Sequence, residues 1–133
     1  MAYALDNTTV TEQIGRNVQF GTYRVGVMRG STFITTYVGR GLTRLRRRVA
    51  DYIPKKTVTH FVVDEWENLE EAYDMECAMY HYYRTLGPLT NRKHPDSPRG
   101  HAFTCKYCKA HPASLQKQAK DARDDLSRRG ALE

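Results

Sequence analysis

Residues 18–38 read VQFGTYRVGVMRGSTFITTYV, and they carry the strongest indication of the fold. Val18 to Val27 alternates and carries aromatic and β-branched residues, which is typical of a strand. Phe33 to Val38 has the same composition and indicates a second strand. The turn signal Arg29-Gly30-Ser31-Thr32 lies between them. Two strands so close along the chain predict an antiparallel hairpin.

The segments after the hairpin predict a helix, a strand and a second helix. Thr43 can cap a helix that ends before Pro54 and has apolar residues at positions i, i+4, i+7 and i+8. Val58 to Val63 indicates a third strand. Asn68, with Glu71 three residues later, forms a capping box that begins the second helix. The order ββαβα predicts an α+β fold with a small mixed or antiparallel sheet.

Composition divides the chain into three parts. Residues 1–17 are polar and weakly periodic, so we expect a loose N-terminal arm. Residues 18–95 hold the predicted core, and residues 96–133 hold a Cys/His-containing loop followed by a polar helix from about residue 113 to residue 129. The 133 residues are enough to bury one hydrophobic core.

The sequence also predicts where the protein works. No apolar stretch approaches the ~20 residues of a membrane span, so we expect no membrane partner. The first residues lack a basic start followed by an apolar block, and the three cysteines are an odd number. These features predict a cytoplasmic protein without a disulfide framework.

The net charge of +6 is unevenly distributed along the chain. Residues 41–56 hold six basic residues and one acidic residue, whereas residues 57–90 hold one basic and seven acidic residues. Residues 91–133 hold ten basic and five acidic residues. A cationic surface of this kind favours polyanions, nucleic acid first. The alternative is a solvated basic surface without a partner.

Two charged residues interrupt the apolar faces of the predicted helices. Glu76 falls within the apolar stripe of the second helix, where a carboxylate needs a cationic partner. It is predicted to be either half of a buried salt bridge, or a metal ligand or general acid–base. Arg48 leans towards the apolar side of the first helix, and its planar guanidinium suits a phosphate oxygen. The alternative for Arg48 is a pair with Glu76.

The hairpin carries two triplets, Gly21-Thr22-Tyr23 and Tyr37-Val38-Gly39, one on each strand. They resemble the signature of the GIY-YIG nucleases. Thr22 departs from the usual Ile, and the separation of the triplets is a few residues longer than typical. After the second triplet, Leu45-x-x-Arg48-Val49 resembles the helix that carries the essential Arg of this family. Arg47 is the alternative if the alignment has no gap.

Three further positions extend the resemblance to roughly residues 18–92. Tyr52 matches the place where family members carry His or Tyr, Glu76 matches the metal-binding Glu, and Asn91 matches the Asn that closes the core. The resemblance implies a three-stranded antiparallel sheet flanked by helices. It also implies an endonuclease that hydrolyses DNA phosphodiester bonds with one Mg²⁺ or Mn²⁺ per site.

The resemblance also implies a role for each residue. Glu76 would hold the cation, which polarises the scissile phosphate. Tyr23 would orient or deprotonate the attacking water, with Tyr37 and Tyr52 assisting. A free phenol has a pKa near 10, so this role needs help from a metal or cation.

The remaining positively charged and amide side chains would bind or order the substrate. Arg48 would neutralise charge that builds on the phosphorane, and Asn91 would order the site. Backbone contacts with single-stranded, double-stranded or branched DNA are expected from seven basic residues: Arg40, Arg44, Arg47, Lys55, Lys56, Arg92 and Lys93. A single active site cuts one strand, so a double-strand cut would need a homodimer or two encounters.

The segment after the predicted core holds four candidate zinc ligands in eleven residues, namely His101, Cys105, Cys108 and His111. Cys-x-x-Cys is half of an ordinary structural zinc site, and His94 is another candidate ligand. The alternative is a pair of reduced surface thiols with incidental histidines. Cys77 is expected to be a buried apolar residue.

Three functions follow from these observations. The first is the DNA endonuclease. The second is a catalytically silent nucleic-acid-binding module on the same fold, against which the retained Tyr23, Tyr37, Arg48 and Glu76 argue. The third is a zinc-stabilised adaptor for other proteins.

Overall fold

Four antiparallel strands form the sheet of the computed structural model, which describes residues 1–132. The strands are β1 (Tyr3–Ala4), β2 (Gly21–Arg29), β3 (Thr32–Gly41) and β4 (His60–Glu65), in the spatial order β1-β4-β2-β3. The helices of these residues are α1 (Asn7–Gln13), α2 (Leu45–Ala50), α3 (Leu69–Leu86), α4 (Lys106–Ala110) and α5 (Leu115–Arg128). The α+β class is confirmed, but the sheet has one strand more than the three predicted.

The extra strand corrects the prediction of a loose arm over residues 1–17. β1 pairs with β4, with Tyr3 opposite Phe61. In α1, Val10 and the following Ile14 lie four residues apart and are buried in the core. Arg46 of α2 donates hydrogen bonds from Nε and Nη2 to the carbonyl of Ile14, at 2.9 and 2.6 Å. Because only two apolar residues anchor this short helix, its periodicity is weak in the sequence.

The predicted hairpin is confirmed, and two of its glycines explain how closely it packs. Tyr23 of β2 lies opposite Gly39 of β3. A Cβ atom added at Gly39 would lie only 2.3 Å from Cζ of Tyr23, so the phenol ring occupies the space of a missing side chain. A Cβ atom at Gly21 would lie 2.6 Å from Cδ2 of Leu45. Gly21 therefore lets α2 approach the sheet.

The sheet separates two hydrophobic clusters. The first, with α1 and α2, contains Tyr23, Val25, Leu45, Val49 and Phe61 among its buried residues. The second, with α3, α4 and α5, contains Val38, Met79, Tyr107, Ala122 and Leu126. Side chains alternate along β3, so Tyr37 packs with the first cluster while Val38 belongs to the second. Residues 96–132 therefore share a core with the predicted nuclease segment; Glu133, the last residue of the predicted tail, lies outside the described residues.

The helix starts differ in how well local signals predict them. The side chain of Asn68 accepts a hydrogen bond from the backbone N–H of Glu71 at 2.8 Å, as predicted for the start of α3. The side chain of Ser114 caps α5 in the same way. Thr43 does not cap α2, because its φ of 61° is left-handed and Arg44 occupies the cap position. The helix is correspondingly shorter than predicted.

We predict that Gly39→Ala lowers the free energy of unfolding by about 1–3 kcal/mol, the usual effect of overpacking a filled site. The new methyl group would collide with the buried ring of Tyr23. Urea unfolding followed by circular dichroism measures the change.

Gly15→Ala is the matched control, because the nearest atom to its added Cβ is Cγ2 of Val18 at 3.8 Å. It should change stability by less than about 0.5 kcal/mol. Equal effects of the two substitutions would contradict the proposed packing of Tyr23 over Gly39.

Candidate active site and metal centre

Three tyrosines form a cluster on the α2 side of the hairpin; we call Tyr23, Tyr37 and Tyr52 the tyrosine cluster. The ring centroids of Tyr23 and Tyr37 lie 6.4 Å apart, and each lies 5.8 Å from that of Tyr52. The hydroxyl groups of Tyr23 and Tyr52 are 3.4 Å apart. The structure therefore brings together the three tyrosines that the sequence predicted as site residues.

Burial and charge distinguish the members of the tyrosine cluster. Tyr23 is buried, and burial together with the hydrogen bond to Tyr52 raises its pKa well above the ordinary value. Burial also raises the pKa of Tyr52. Arg48 is exposed, and its positive charge partly offsets both increases. Arg48 is thus the arginine of α2 whose charge acts on the tyrosine hydroxyl groups.

Tyr37 and Tyr52 line a groove of about 520 Å³. Lys55 also lines the groove, and its Nζ lies 4.9 Å from the ring centroid of Tyr52. The other lining residues are Thr36, Thr57, Val58, Pro88 and Thr90. The groove combines aromatic faces, hydroxyl groups and a cation, which are the groups that contact nucleic-acid bases and phosphates.

Glu76 is buried in α3 and pairs with Arg40 rather than with Arg48. Nη1 of Arg40 donates to Oε1 of Glu76 at 2.6 Å. Nη2 of Arg40 donates to the backbone carbonyl of Asp96 at 3.1 Å. The alternative pairing of Arg48 with Glu76 is therefore wrong, and the cation that the buried carboxylate requires is one that was predicted to contact DNA.

The pKa of Glu76 is raised to about 7. Burial is the main cause, and the neighbouring negative charge of Asp96 acts in the same direction. The positive charges of Arg40 and His94 oppose the increase. A carboxylate of this kind changes its protonation state near neutral pH, as groups at functional sites often do.

Asn91 substitutes for a neighbouring strand along the free edge of β3. Its Oδ1 accepts a hydrogen bond from the N–H of Val38, and its Nδ2 donates to the carbonyl of the same residue, both at 2.9 Å. The N–H of Thr90 donates to the carbonyl of Thr36 at 2.6 Å. Asn91 therefore orders this edge of the sheet, and its role in ordering an active site stays a prediction.

The predicted site is divided between the two faces of β3. The tyrosine cluster belongs to the face that α2 covers, whereas Arg40 and Glu76 lie on the α3 face. Tyr37 and Arg40 are three residues apart on one edge strand, a rise of about 10 Å. The two groups flank the short segment of sheet edge that Asn91 covers at Val38.

Six of the seven basic residues predicted to bind DNA are exposed: Arg44, Arg47, Lys55, Lys56, Arg92 and Lys93. Within residues 1–132, none of the six forms an ion pair with a carboxylate. Their charges are therefore available to a polyanion. Arg40 differs, because one of its guanidinium nitrogen atoms forms an ion pair with Glu76.

Two cysteines and two histidines form a second candidate centre, which we call the His/Cys cluster: His81, His94, Cys105 and Cys108. One ligand atom from each lies within 4.8 Å of all the others, so the group can hold a metal ion. Nε2 of His81 lies 3.3 Å from both cysteine Sγ atoms and 3.2 Å from Nε2 of His94. A hydrogen bond from Cys77, with others from His81 and His94, lowers the pKa of Cys105 towards the thiolate form that binds metals.

The other two histidines of the predicted zinc set are not part of this cluster. His111 is engaged elsewhere, with Nε2 2.8 Å from Oδ2 of Asp121. His101 is exposed, and its ring lies 4.9 Å from that of Phe103. The cluster thus keeps Cys105 and Cys108 of the predicted set and also the additional candidate His94.

Sequence reasoning missed His81, although one signal was available. It lies on the buried side of α3, four residues after Cys77. A histidine among buried apolar residues is a polar group that needs a partner. The partners follow more than ten residues later, so helical spacing does not reveal them.

Comparison with known proteins identifies no relative of this chain. The chain gives no significant match to any protein-family model, curated protein or solved structure. None of the helices in residues 1–132 combines the length and the hydrophobicity needed to cross a bilayer. The GIY-YIG resemblance therefore rests on the residues themselves.

We predict that Glu76 makes the wild-type protein less stable as the pH rises from about 4.5 to about 7. Because its pKa in the folded state is about 7, against 4.5 ordinarily, the folded state binds more protons than the unfolded state in this range. The difference in unfolding free energy between wild type and Glu76→Gln should change by up to roughly 3 kcal/mol across this pH range.

Urea unfolding at several pH values, without added divalent cations, measures this difference. Glu70→Gln, an exposed position on the same helix, is the control and should follow the wild-type pH dependence. A constant difference between wild type and Glu76→Gln would show that Glu76 titrates normally.

Proposed function

We propose that the protein is a metal-dependent endonuclease of the GIY-YIG type that hydrolyses DNA phosphodiester bonds. The observation that carries the proposal is the tyrosine cluster beside Arg48 and an aromatic groove. The two triplets that suggested the family contact each other through Tyr23 and Gly39, and the ring of Tyr23 fits only because position 39 has no side chain. A coincidental match of residue types would not by itself bring these two residues into contact.

Arg48 would stabilise the negative charge that develops on the phosphate during the reaction. Its guanidinium is exposed, acts electrostatically on the hydroxyl groups of Tyr23 and Tyr52, and remains charged at any physiological pH. Arg48 is among the main influences on the pKa values of Tyr23 and Tyr52, whereas Arg47, which is also exposed, is not among these main influences. This difference favours Arg48 as the catalytic arginine.

The tyrosines would orient the attacking water. Tyr37 and Tyr52 line the groove, whereas Tyr23 lies buried behind them. The raised pKa of Tyr23 keeps its hydroxyl protonated at neutral pH, so it would not take a proton from water and would instead hold the hydroxyl of Tyr52 in position. We assign the contact with water to Tyr37 and Tyr52, which modifies the role that the resemblance implied for Tyr23.

Glu76 would hold one Mg²⁺ or Mn²⁺. The donor chemistry fits: Oε2 of Glu76 accepts no hydrogen bond from the described residues, and Mg²⁺ often keeps several waters beside one or two carboxylates. Asp96 adds a negative charge nearby. When bound, the cation would polarise the scissile phosphate and stabilise the leaving oxygen. Arg40 would hold Oε1 and so orient the carboxylate.

Exposed basic residues would bind the DNA backbone on both sides of the site. Arg44 occupies the N-cap position of α2, Arg47 lies within that helix, and Lys55 and Lys56 follow it. Arg92 and Lys93 follow Asn91. Such contacts hold the strand in register without reading its sequence. A cytoplasmic location is part of the proposal, since the three cysteines are free thiols and thiols persist in reducing compartments.

A catalytically silent DNA-binding module is the second candidate. The Arg40–Glu76 ion pair favours it, because a guanidinium on the carboxylate competes with a metal ion. The buried hydroxyl of Tyr23 points in the same direction. Both observations are compatible with binding of DNA without cleavage.

We predict that the protein cleaves DNA only with Mg²⁺ or Mn²⁺, and that Arg48→Ala and Glu76→Gln each lower the rate by about 100-fold or more. Loss of either charge removes stabilisation at the phosphate. The assay follows supercoiled plasmid and labelled single-stranded DNA. The divalent cation is omitted rather than chelated, so that the His/Cys cluster is left undisturbed.

Arg47→Ala should lower the rate by less than about tenfold, because it removes only a backbone contact. Arg123→Ala, an exposed position on α5, is the neutral control. Binding without cleavage by wild type would establish the silent module. A loss with Arg47→Ala but not Arg48→Ala would move the catalytic role to Arg47.

A further inference from the structure

We infer that His81, His94, Cys105 and Cys108 form a structural zinc site that fastens the long segment after α3 to α3 itself. This inference concerns a centre separate from the proposed cleavage reaction. It stands on the geometry of the four side chains and on the path of the chain between them. It also replaces two of the four ligands that the sequence spacing suggested.

The distances agree with a tetrahedral zinc site. Zinc binds sulfur at about 2.3 Å and imidazole nitrogen at about 2.0–2.1 Å, so tetrahedral ligands lie roughly 3.5 Å apart for S···N and 3.3 Å for N···N. In the cluster, Nε2 of His81 is 3.3 Å from each Sγ atom and 3.2 Å from Nε2 of His94. The other pairs of ligand atoms lie within 4.8 Å of one another.

Hydrogen bonds alone cannot satisfy the four ligand atoms of the His/Cys cluster. Nδ1 of His94 lies 2.8 Å from the carbonyl of Pro95, which can only accept, so Nδ1 carries a proton. In the neutral imidazole that metal binding requires, Nε2 then presents its lone pair to the cluster. Nε2 of His81 has three neighbours but carries at most one proton. A cation at the centre satisfies all four ligand atoms at once.

The donor set selects zinc among the common metal ions. Two sulfur and two imidazole ligands are the chemistry of structural zinc sites, whereas Mg²⁺ and Ca²⁺ prefer oxygen ligands. Four protein ligands complete the tetrahedron and leave no open position for a substrate. The carbonyl of Pro95 supplies the outer hydrogen bond that orients a ligating histidine. The site is therefore structural rather than catalytic.

The path of the chain shows what the zinc would stabilise. Residues 87–105, between α3 and α4, contain no helix or strand. Connections this long are uncommon in compact domains unless they are functional or disordered. His94 lies within this segment, His81 lies in α3, and Cys105 ends the segment. One ion would divide the connection into two shorter loops and hold both against α3.

The same segment carries the contacts around Glu76. Asn91, three residues before His94, binds both backbone groups of Val38. Asp96, two residues after His94, accepts a hydrogen bond from Arg40. Zinc at the cluster would therefore hold the segment that orders the edge of β3, whether or not the protein cleaves DNA.

The test is the zinc content of the purified full chain, measured by elemental analysis without DNA. We expect about one zinc per chain in the wild type, and a loss of most of it in His81→Ala, His94→Ala and Cys108→Ser. His101→Ala and His111→Ala are matched controls and should keep wild-type zinc. Absence of zinc that persists when the metal is supplied during expression and refolding would overturn the proposal.

Two further outcomes would decide the ligand set. Zinc loss in His101→Ala or His111→Ala equal to that in His81→Ala would overturn the assignment in favour of the ligands that sequence spacing suggested. If the cluster variants do not fold, Co²⁺ is added to metal-free wild type, where the spectrum of tetrahedral thiolate-bound Co²⁺ supports the site and an octahedral spectrum contradicts it.

Hydrogen exchange measures the structural role. Removal of zinc from the wild type should increase amide exchange in residues 91–105 and at Val38, whose N–H bonds to Asn91, and leave the other amides of the β2–β3 hairpin protected. If exchange changes uniformly across the chain, or does not change at all, the proposal that zinc holds this segment against α3 is contradicted. Since none of these measurements uses DNA, their failure is distinguishable from failure of the proposed nuclease.

Discussion

The close contact between Tyr23 and Gly39 fixes how the two strands of the hairpin pack, and the surrounding elements are arranged around it. The ring of Tyr23 fills the space that a side chain at position 39 would occupy, and this fit holds β2 and β3 in the observed register. The same ring meets Tyr37 and Tyr52 and so assembles the tyrosine cluster. The packing of the hairpin and the tyrosine cluster therefore use the same ring atoms.

The edge strand β3 connects this cluster to the buried carboxylate on the other side of the sheet. Its alternation directs Tyr37 to one face and Arg40 to the opposite face, where Arg40 meets Glu76. The outer edge of the strand is closed at Val38 by Asn91 rather than by another strand. An exposed strand edge is thereby protected from pairing with other chains, while the adjacent groove remains open to a ligand.

Two parts of the molecule are stabilised in different ways. The hairpin, α1 and α2 depend on apolar packing around Val25, Leu45 and Phe61. The segment from residue 87 to residue 105 has little regular structure, and we propose that a metal ion holds it in place. This division explains how a sheet edge can be ordered by a loop: Asn91 and Asp96 lie on either side of the ligand His94.

Local patterns in the sequence were enough to predict the elements whose signals span only a few residues. Alternation predicted the strands of the hairpin, and the pair Asn68 and Glu71 predicted the start of α3, because both patterns act within a few residues. The burial of Glu76 predicted that a cation must meet it. Three features became visible only in the folded molecule: the cation is Arg40, Val10 and Ile14 anchor an ordered N-terminus, and His81 joins the two cysteines. These partners are distant along the chain, and their contacts depend on how the helices pack against the sheet, which no local spacing encodes.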